Sequence, residues 1–187
     1  GWIANVTCAP PPVCQQPTAL TTTNITPNSV TFGWTNVGIA TSWEILALPC
    51  NSPAPTAAST GWIVANTNPF TLTGLNPTTC YDIYVRGNCG ATDKSIWTGP
   101  LSFTTECVAV TDFVQNFDSS PTGTGNLPPC WSKAGTSANV YTTTGGATPM
   151  SAPNRLYMNI STTTSAFAIL PPVSNLQANS HRLRFKA

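Results

Sequence analysis

Charged side chains are scarce in this chain of 187 residues: they make up 7% of it and leave a formal net charge of +1. An ordinary soluble domain carries about 25%. Because neither sign dominates, composition gives no reason to expect a nucleic acid or an anionic membrane surface as partner. The chain also lacks any apolar run near the ~20 residues that a membrane-spanning helix needs, so no membrane insertion is expected.

Groups suited to acid–base or nucleophilic chemistry are also few, with six acidic residues and one histidine. Glu44 and Asp82 alternate with apolar positions, so they are expected to be surface carboxylates without the desolvation that acid–base catalysis uses. His181, the single base available to a Ser or Cys nucleophile, stands in a basic run that predicts a strand with a solvated face. Neither a Gly-x-Ser-x-Gly motif nor a phosphate-binding glycine loop occurs. We therefore expect that the chain is not an enzyme.

Helical patterning is missing as well. No window has a sustained helical period of apolar residues, whereas short alternating stretches are separated by turn residues. Eighteen prolines and thirteen glycines, with abundant Thr, Ser and Asn, suit short strands joined by turns. The chain is therefore predicted to be all-β.

Cysteine, by contrast, is abundant. There are seven cysteines and no Cys-x-x-Cys pair, which argues against a structural zinc site. Disulfides formed in an oxidising compartment explain them better, so a secreted, extracellular location is expected. The start of the chain has neither a basic segment nor an apolar core, and we interpret the sequence as mature material excerpted from a longer protein.

The stretch from Leu75 to Arg86 carries the clearest pattern. Leu75-x-Pro77 predicts a turn, and the strand that follows places Tyr81 on one face with Ile83 and Val85. Upstream, Val30–Trp34 alternates in the same way and carries a tryptophan suited to the centre of a core. The pair resembles the fibronectin type III family, whose strand B has such a Trp and whose strand F opens with Leu-x-Pro-x-Thr-x-Tyr, here Leu75, Pro77, Thr79 and Tyr81.

The resemblance implies a seven-stranded sandwich over residues 15–107, preceded by a linker or the end of another module at 1–14. Strands A, B and E are expected to face strands C, C′, F and G. It also implies a tyrosine corner, in which the Tyr81 hydroxyl returns to a backbone group a few residues upstream. The strand candidates are roughly 18–24, 29–35, 42–48, 61–65, 69–74, 79–88 and 98–105.

The implied topology also pairs the cysteines. Cys50 follows strand C and Cys80 opens strand F at one pole, while Cys14 precedes strand A and Cys89 ends strand F at the other. The predicted disulfides are therefore Cys50–Cys80 and Cys14–Cys89. Past the last strand, Cys107 is left with Cys130 as its downstream partner. Cys8 is the odd one, either pairing upstream or remaining free.

Residues 108–187 carry the motifs of a second unit. Four spaced motifs resemble jelly-roll domains of the MAM-like and cleaved-adhesin family: Phe113-x-x-x-Phe117-Asp118, Leu127–Trp131, Ala168–Pro172 and Arg182–Phe185. The resemblance implies a partial jelly-roll β-sandwich. It also implies a candidate structural Ca²⁺ ligand at Asp118, although calcium needs six to eight oxygens and this segment has few acids. Trp131 is expected to pack on the disulfide of Cys130.

Three tryptophans are candidates for ligand contact. Trp43, Trp62 and Trp97 lie on or near strands C, C′ and G, which belong to one sheet. Indole rings on a sheet face can stack on the apolar faces of sugars. The alternative is that Trp43 and Trp62 are core or cover residues, as strand aromatics usually are.

These features predict a non-catalytic adhesion or structural segment of a secreted, modular, adhesin-like cell-surface protein. Its expected partners are a glycan or other surface ligand and further domains of the same polypeptide. Motifs around three cysteines, at 14–17, 86–90 and 104–107, resemble domains of large secreted surface proteins of the Bacteroidetes, which implies type IX secretion. Two alternatives remain open: accessory domains of a secreted peptidase or polysaccharide-degrading hydrolase, and lateral assembly through low-charge, Thr-rich faces.

Overall fold

The computed structural model describes residues 14–136, 139–146, 153–160, 162–178 and 184. This part of the chain is built from β-strands, with one short 3-10 turn at Leu176–Ala178, which confirms the predicted all-β class. Within it, no helix is long and apolar enough to cross a membrane. The structure divides into two compact units between Glu106 and Cys107.

The first unit is a sandwich of two antiparallel sheets. β1, β2 and β5 form a three-stranded sheet, and the other sheet has the order β4-β3-β6-β7. This is the predicted division of strands A, B and E against C′, C, F and G. Each strand begins and ends within two residues of its predicted range: β1 Thr18–Thr23, β2 Ser29–Thr35, β3 Ser42–Pro49, β4 Ile63–Ala65, β5 Phe70–Thr73, β6 Cys80–Asn88 and β7 Thr98–Thr104.

The core lies between the inner faces of these two sheets. Alternation along β2 buries Val30, Phe32 and Trp34, while Ser29, Thr31 and Gly33 on the opposite face are half-buried. Strand β6 contributes Tyr81, Ile83 and Val85 to the same cluster. Period-two alternation is what a strand with one buried face requires, so these two strands fix which faces meet.

A tyrosine corner lies at the start of β6. The Asn76 backbone N–H donates to the Tyr81 hydroxyl oxygen at 3.0 Å, and the Tyr81 ring stacks on Phe103 with centroids 5.9 Å apart. Thr105 supports the same turn, because its hydroxyl donates to the Asn76 carbonyl oxygen at 2.7 Å. The hydroxyl of Tyr81 therefore returns to the backbone five residues upstream, as the resemblance implies.

The described residues contain three disulfides, two of which join the pairs that the implied topology predicts, while the third joins Cys107 to Cys130, the cysteine left as its downstream partner. The Cα–Cα distances are 5.8 Å for Cys14–Cys89, 5.4 Å for Cys50–Cys80 and 5.9 Å for Cys107–Cys130. The first two anchor opposite ends of β6. The third lies within the second unit, which begins at Cys107. Cys8 lies outside the described residues.

The outer face of β3 and β6 is buried rather than solvated. Glu44 and Asp82 are only 3% and 7% exposed, so the prediction that they are surface carboxylates is wrong. The reason is that the segments after β3 and β6 fold back over this face. The two carboxylates lie at separate positions on the sheet, because Glu44 is opposite Arg86 and Asp82 is opposite Leu48.

In its described residues, the second unit contains two small antiparallel sheets. β8 (Ser132–Ala134) pairs with β11 (Phe167–Ile169), and β9 (Val140–Thr143) pairs with β10 (Arg155–Met158). Trp131 packs edge-on against Phe117, with centroids 5.4 Å apart, and against Phe113 at 6.4 Å. The jelly roll, and the packing of Trp131 on its neighbouring disulfide, stay predictions. His181 and most of the basic run around it lie outside the described residues.

Candidate functional site

A cleft of about 650 Å³ lies on the outer face of the four-stranded sheet. It is bordered by the loop that follows β3 and by the connection between β6 and β7. The side chains on which its chemistry depends are Trp62, Arg86, Lys94 and Trp97. Its volume falls in the range of about 300–1,000 Å³ that is usual for small-ligand sites.

Arg86 contacts a tryptophan on either side of the cleft. Its guanidinium carbon lies 4.5 Å from the ring centroid of Trp97 and 5.2 Å from that of Trp62. Both distances are within the ~6 Å over which a cation is attracted to an aromatic face. The indole N–H of Trp97 donates to the Thr56 carbonyl oxygen at 3.0 Å, which links the β6–β7 connection to the loop after β3. The two rings, each half-buried, are thus held around one cation.

The carboxylate of Glu44 forms ion pairs with two cations beneath this cleft. Arg86 Nε donates to Glu44 Oε2 at 2.6 Å, and Lys94 Nζ lies 3.0 Å from Glu44 Oε1. The side chains of Glu44 and Arg86 are 4% and 6% exposed, whereas that of Lys94 is 23% exposed. Two positive charges and one negative charge leave the cluster with a net charge of +1.

Hydrogen bonds to the backbone of β6 and its end fix the β6–β7 connection that carries Lys94 and Trp97. The Gly87 N–H donates to the Ser95 hydroxyl oxygen at 2.7 Å, and the Ser95 N–H donates back to the Gly87 carbonyl at 3.0 Å. The Cys89 N–H donates to the Asp93 carbonyl at 3.0 Å. Because Cys89 is also bonded to Cys14, this connection is anchored covalently as well.

Asp82 and Tyr84 fill the neighbouring part of the outer face. The Asp82 carboxylate accepts hydrogen bonds from the Ser102 hydroxyl at 2.5 Å and from the Asn51 N–H at 3.1 Å. Burial raises the pKa of Tyr84, and the negative charge of Asp82 raises it further. Both side chains are buried within the domain, and neither lines the cleft.

The structure separates the three predicted ligand-stacking tryptophans. Trp43 is 7% exposed and packs against Trp34 in the core, with centroids 5.2 Å apart, so its prediction as a stacking residue is wrong. The sequence places Trp43 on a strand but does not say which face of the sheet it occupies. Trp62 and Trp97 come together at the cleft and stay candidates.

Arg86 and Lys94 are residues of the site that sequence reasoning missed. The sequence signal for Arg86 is its alternation with Tyr84 and Asp82 along β6, which places the three side chains on one face of the sheet. Lys94 gave no signal, because it lies in a loop whose path depends on contacts with Gly87 and Glu44.

The predicted calcium ligand lies in a local turn. The Asp118 carboxylate accepts a hydrogen bond from the Asn116 side-chain amide at 2.7 Å. Among the described residues, one group of three potential metal ligands comes together, Cys14, Cys89 and Asp93, but its two sulfurs are joined in a disulfide. Calcium at Asp118 therefore stays a prediction.

Comparison with known proteins identifies the first unit. Residues 15–104 match the family model of the Fibronectin type III domain. They are therefore a fibronectin type III domain, a kind found in modular extracellular or structural proteins and generally as a non-catalytic accessory domain. Such domains, like the three disulfides, are typical of extracellular proteins. No curated protein matches the chain.

Solved structures with similarity to the chain include structures of fibronectin type III domains. The FN5 domain of Drosophila Lar is 18% identical, with a TM-score of 0.40, and the match covers 51% of this chain and 100% of that one. A two-domain fibronectin type-III segment from chicken tenascin is 20% identical, covering 51% of each chain with a TM-score of 0.39. The fn3 domain of the human collagen alpha-1(XX) chain is 21% identical, covering 59% of this chain and 100% of that one with a TM-score of 0.42.

Proposed function

We propose that this chain, with a fibronectin type III domain at residues 15–104, is a non-catalytic adhesion segment of a secreted, modular cell-surface protein. In this proposal residues 108–187 belong to a jelly-roll domain, and other domains of the same polypeptide are its neighbours. The Bacteroidetes-like cysteine motifs support export by type IX secretion. The ligand is a glycan, and its contact on the first domain is the cleft between Trp62 and Trp97.

The observation that carries the proposal is the pair of half-buried tryptophans at one cleft. Core aromatics are covered, but the rings of Trp62 and Trp97 keep part of their surface at the edge of a concave site. The apolar C–H face of a sugar stacks on an indole ring, while its hydroxyls reach polar groups at the rim. Thr56 and Lys94 supply such groups here.

The two disulfides of the domain support its use as a rigid display platform. Each closes a long loop, with sequence separations of 75 and 30, and thereby restricts the unfolded chain. A site placed on strands and anchored loops keeps its geometry before the ligand arrives, which reduces the entropy lost on binding.

A glycan array probed with the labelled chain tests the proposal. We expect binding to at least one glycan, and we expect Trp62→Ala or Trp97→Ala to abolish it, because either change removes one stacking face. Phe167→Ala is the matched control, since it removes an exposed aromatic ring in the second unit. Circular dichroism of each variant checks that the strands remain.

Two results would contradict the proposal. The first is an absence of binding to every glycan on the array. The second is binding that survives both tryptophan substitutions but is lost with Phe167→Ala, which would place the contact in the second unit.

A further inference from the structure

We infer that the ligand of the Trp62–Trp97 cleft carries a carboxylate, so that the site takes a uronic-acid glycan rather than a neutral one. The inference rests on the proposed function, because it specifies the class of glycan at the same site. Three features of the described residues carry it: hydrogen-bond donors of Arg86 that they leave unused, a cleft wall without acids, and tryptophan rings beside the cations.

The first feature is the donor capacity of Arg86. A guanidinium has five N–H donors and no acceptor. Among the described residues, the one hydrogen bond that it makes joins Nε to Glu44 Oε2. Within the described part of the chain, the four N–H groups on its two terminal nitrogens therefore have no acceptor, although the side chain is 6% exposed and borders the cleft. A planar carboxylate matches two such donors at once.

The second feature is the charge of the cleft wall. Two lining residues are charged, Arg86 and Lys94, and none of the described residues that line the cleft is acidic. Glu44 lies behind the wall, where its two oxygens are already engaged by Arg86 and Lys94. An anion that enters the cleft thus meets a net positive cluster. A neutral sugar offers those donors single hydroxyl oxygens, which lack the charge of a carboxylate and its two parallel acceptor atoms, so it should bind the guanidinium more weakly.

The third feature distinguishes a uronate from a simple anion. The cations lie beside Trp62 and Trp97, and the Arg86 guanidinium is within 5.2 Å of both ring centroids. A uronic acid has an apolar ring face and a carboxylate on the same ring. One residue of such a glycan can therefore stack on an indole while its carboxylate reaches Arg86 and Lys94.

The test measures binding of the whole chain to polygalacturonate, alginate and hyaluronan, each beside its carboxyl-reduced, neutral form. We expect the acidic forms to bind and the reduced forms to bind at least tenfold more weakly, because a hydrogen bond to a charged group is worth about one order of magnitude or more. Lys94→Gln should weaken acidic binding about tenfold. It suits the test because Lys94 is partly exposed, and Arg86 still pairs with Glu44 after the change. Thr71→Ala, an exposed change on the opposite sheet, is the control.

The outcomes separate this inference from the proposed function. Equal binding of acidic and reduced forms, lost with Trp62→Ala, would overturn the inference and leave the proposed function standing. Binding of neutral glycans on the array without binding of any acidic glycan would also overturn the inference and leave the proposed function standing. Binding of polyglutamate as tight as that of the glycans, or acidic binding that survives Trp97→Ala, would overturn it as nonspecific charge attraction. Binding of no glycan of either kind would overturn both.

Discussion

At the scale of single residues, Glu44 decides the chemistry of the outer sheet face. It lies under the cleft and contacts both Arg86 and Lys94, so its charge is what allows an arginine to be buried on this face. A buried cation without a counter-charge is costly, whereas a matched apolar pair is often tolerated. Removing Glu44 alone should therefore lower the free energy of unfolding more than replacing both Glu44 and Arg86 with apolar side chains.

Glu44→Ala should lower the free energy of unfolding by about 3 kcal/mol, because it leaves Arg86 buried with its counter-charge removed. Urea unfolding followed by tryptophan fluorescence measures this value. Asp93→Ala is the control, since an exposed carboxylate should contribute within about 0.5 kcal/mol. The double change Glu44→Leu with Arg86→Met should recover most of the loss. A double variant as unstable as Glu44→Ala would show that the ion pair itself is needed.

Tyr81→Phe should cost about 1 kcal/mol, because it removes the hydroxyl that accepts the Asn76 N–H. Tyr84→Phe is the matched control on the same strand: the described residues offer the Tyr84 hydroxyl no hydrogen bond, so that change should be close to neutral near pH 7. Urea midpoints of the two variants give the comparison. Equal midpoints would contradict a stabilising role for the tyrosine corner.

Tyr84 also makes stability depend on pH in the alkaline range. Its pKa is raised in the folded state by burial and by Asp82, so between the unfolded value near 10 and the folded value the unfolded chain has lost a proton that the folded chain keeps. Stability therefore falls as pH rises above about 10 and levels off past the folded pKa.

Tyr84→Phe should remove that part of the alkaline decline. The measurement is urea unfolding from pH 8 to 11 on both proteins, with any free thiol alkylated beforehand. Parallel pH profiles for the wild type and the variant would show that Tyr84 titrates alike in both states.

At the scale of the element, β6 is the strand around which the first unit is built. It pairs with β3 from Tyr81 to Asn88 and with β7 on its other edge, and seven of its nine residues are buried. A strand covered on both faces cannot shift register without displacing a core face and the ion cluster together. Gly99, at the start of β7, packs directly on it.

Gly99→Ala should destabilise the domain by more than Gly74→Ala. Both glycines have positive φ, 137° and 79°, so both substitutions strain the backbone. A Cβ at Gly99 would also lie 2.7 Å from Tyr84 Cδ1 and 2.8 Å from the Ile83 carbonyl oxygen, whereas one at Gly74 meets nothing within 4 Å. Both variants carry backbone strain, but only Gly99→Ala adds a steric clash. The difference between their thermal unfolding midpoints therefore reports the clash. A larger loss for Gly74→Ala would contradict the close packing of β7 on β6.

The elements of the first unit were predictable because each depends on local signals. Alternation marked β2 and β6, turn residues marked their ends, and the seven-strand topology that the family resemblance implies paired Cys50 with Cys80. The burial of Glu44 and Asp82 was not predictable in this way. It depends on where the loop after β3 and the β6–β7 connection come to rest, and their path is set by tertiary contacts such as Trp97 to Thr56. For the same reason Trp43 could not be assigned to the inner face.

At the scale of the whole molecule, the chain joins a well-defined sandwich to a second unit of small sheets. The strands and the core cluster of the first unit all lie before Glu106, so the cleft is complete within that unit. An accessory domain with its own core and its own site can present a ligand contact regardless of which domains flank it. This modular property is what the proposed adhesion role requires.

The most direct test of that role uses the six tryptophans as reporters. We would record the indole N–H resonances of the ¹⁵N-labelled chain, assigned by single Trp→Phe substitutions, while adding oligogalacturonate, oligoguluronate and their carboxyl-reduced forms. Ligand contact at the cleft predicts that the Trp62 and Trp97 signals shift with at least one of these sugars, while those of the core residues Trp34 and Trp43 stay in place. Spectra that remain unchanged with every sugar, or shifts confined to Trp131, would contradict the account.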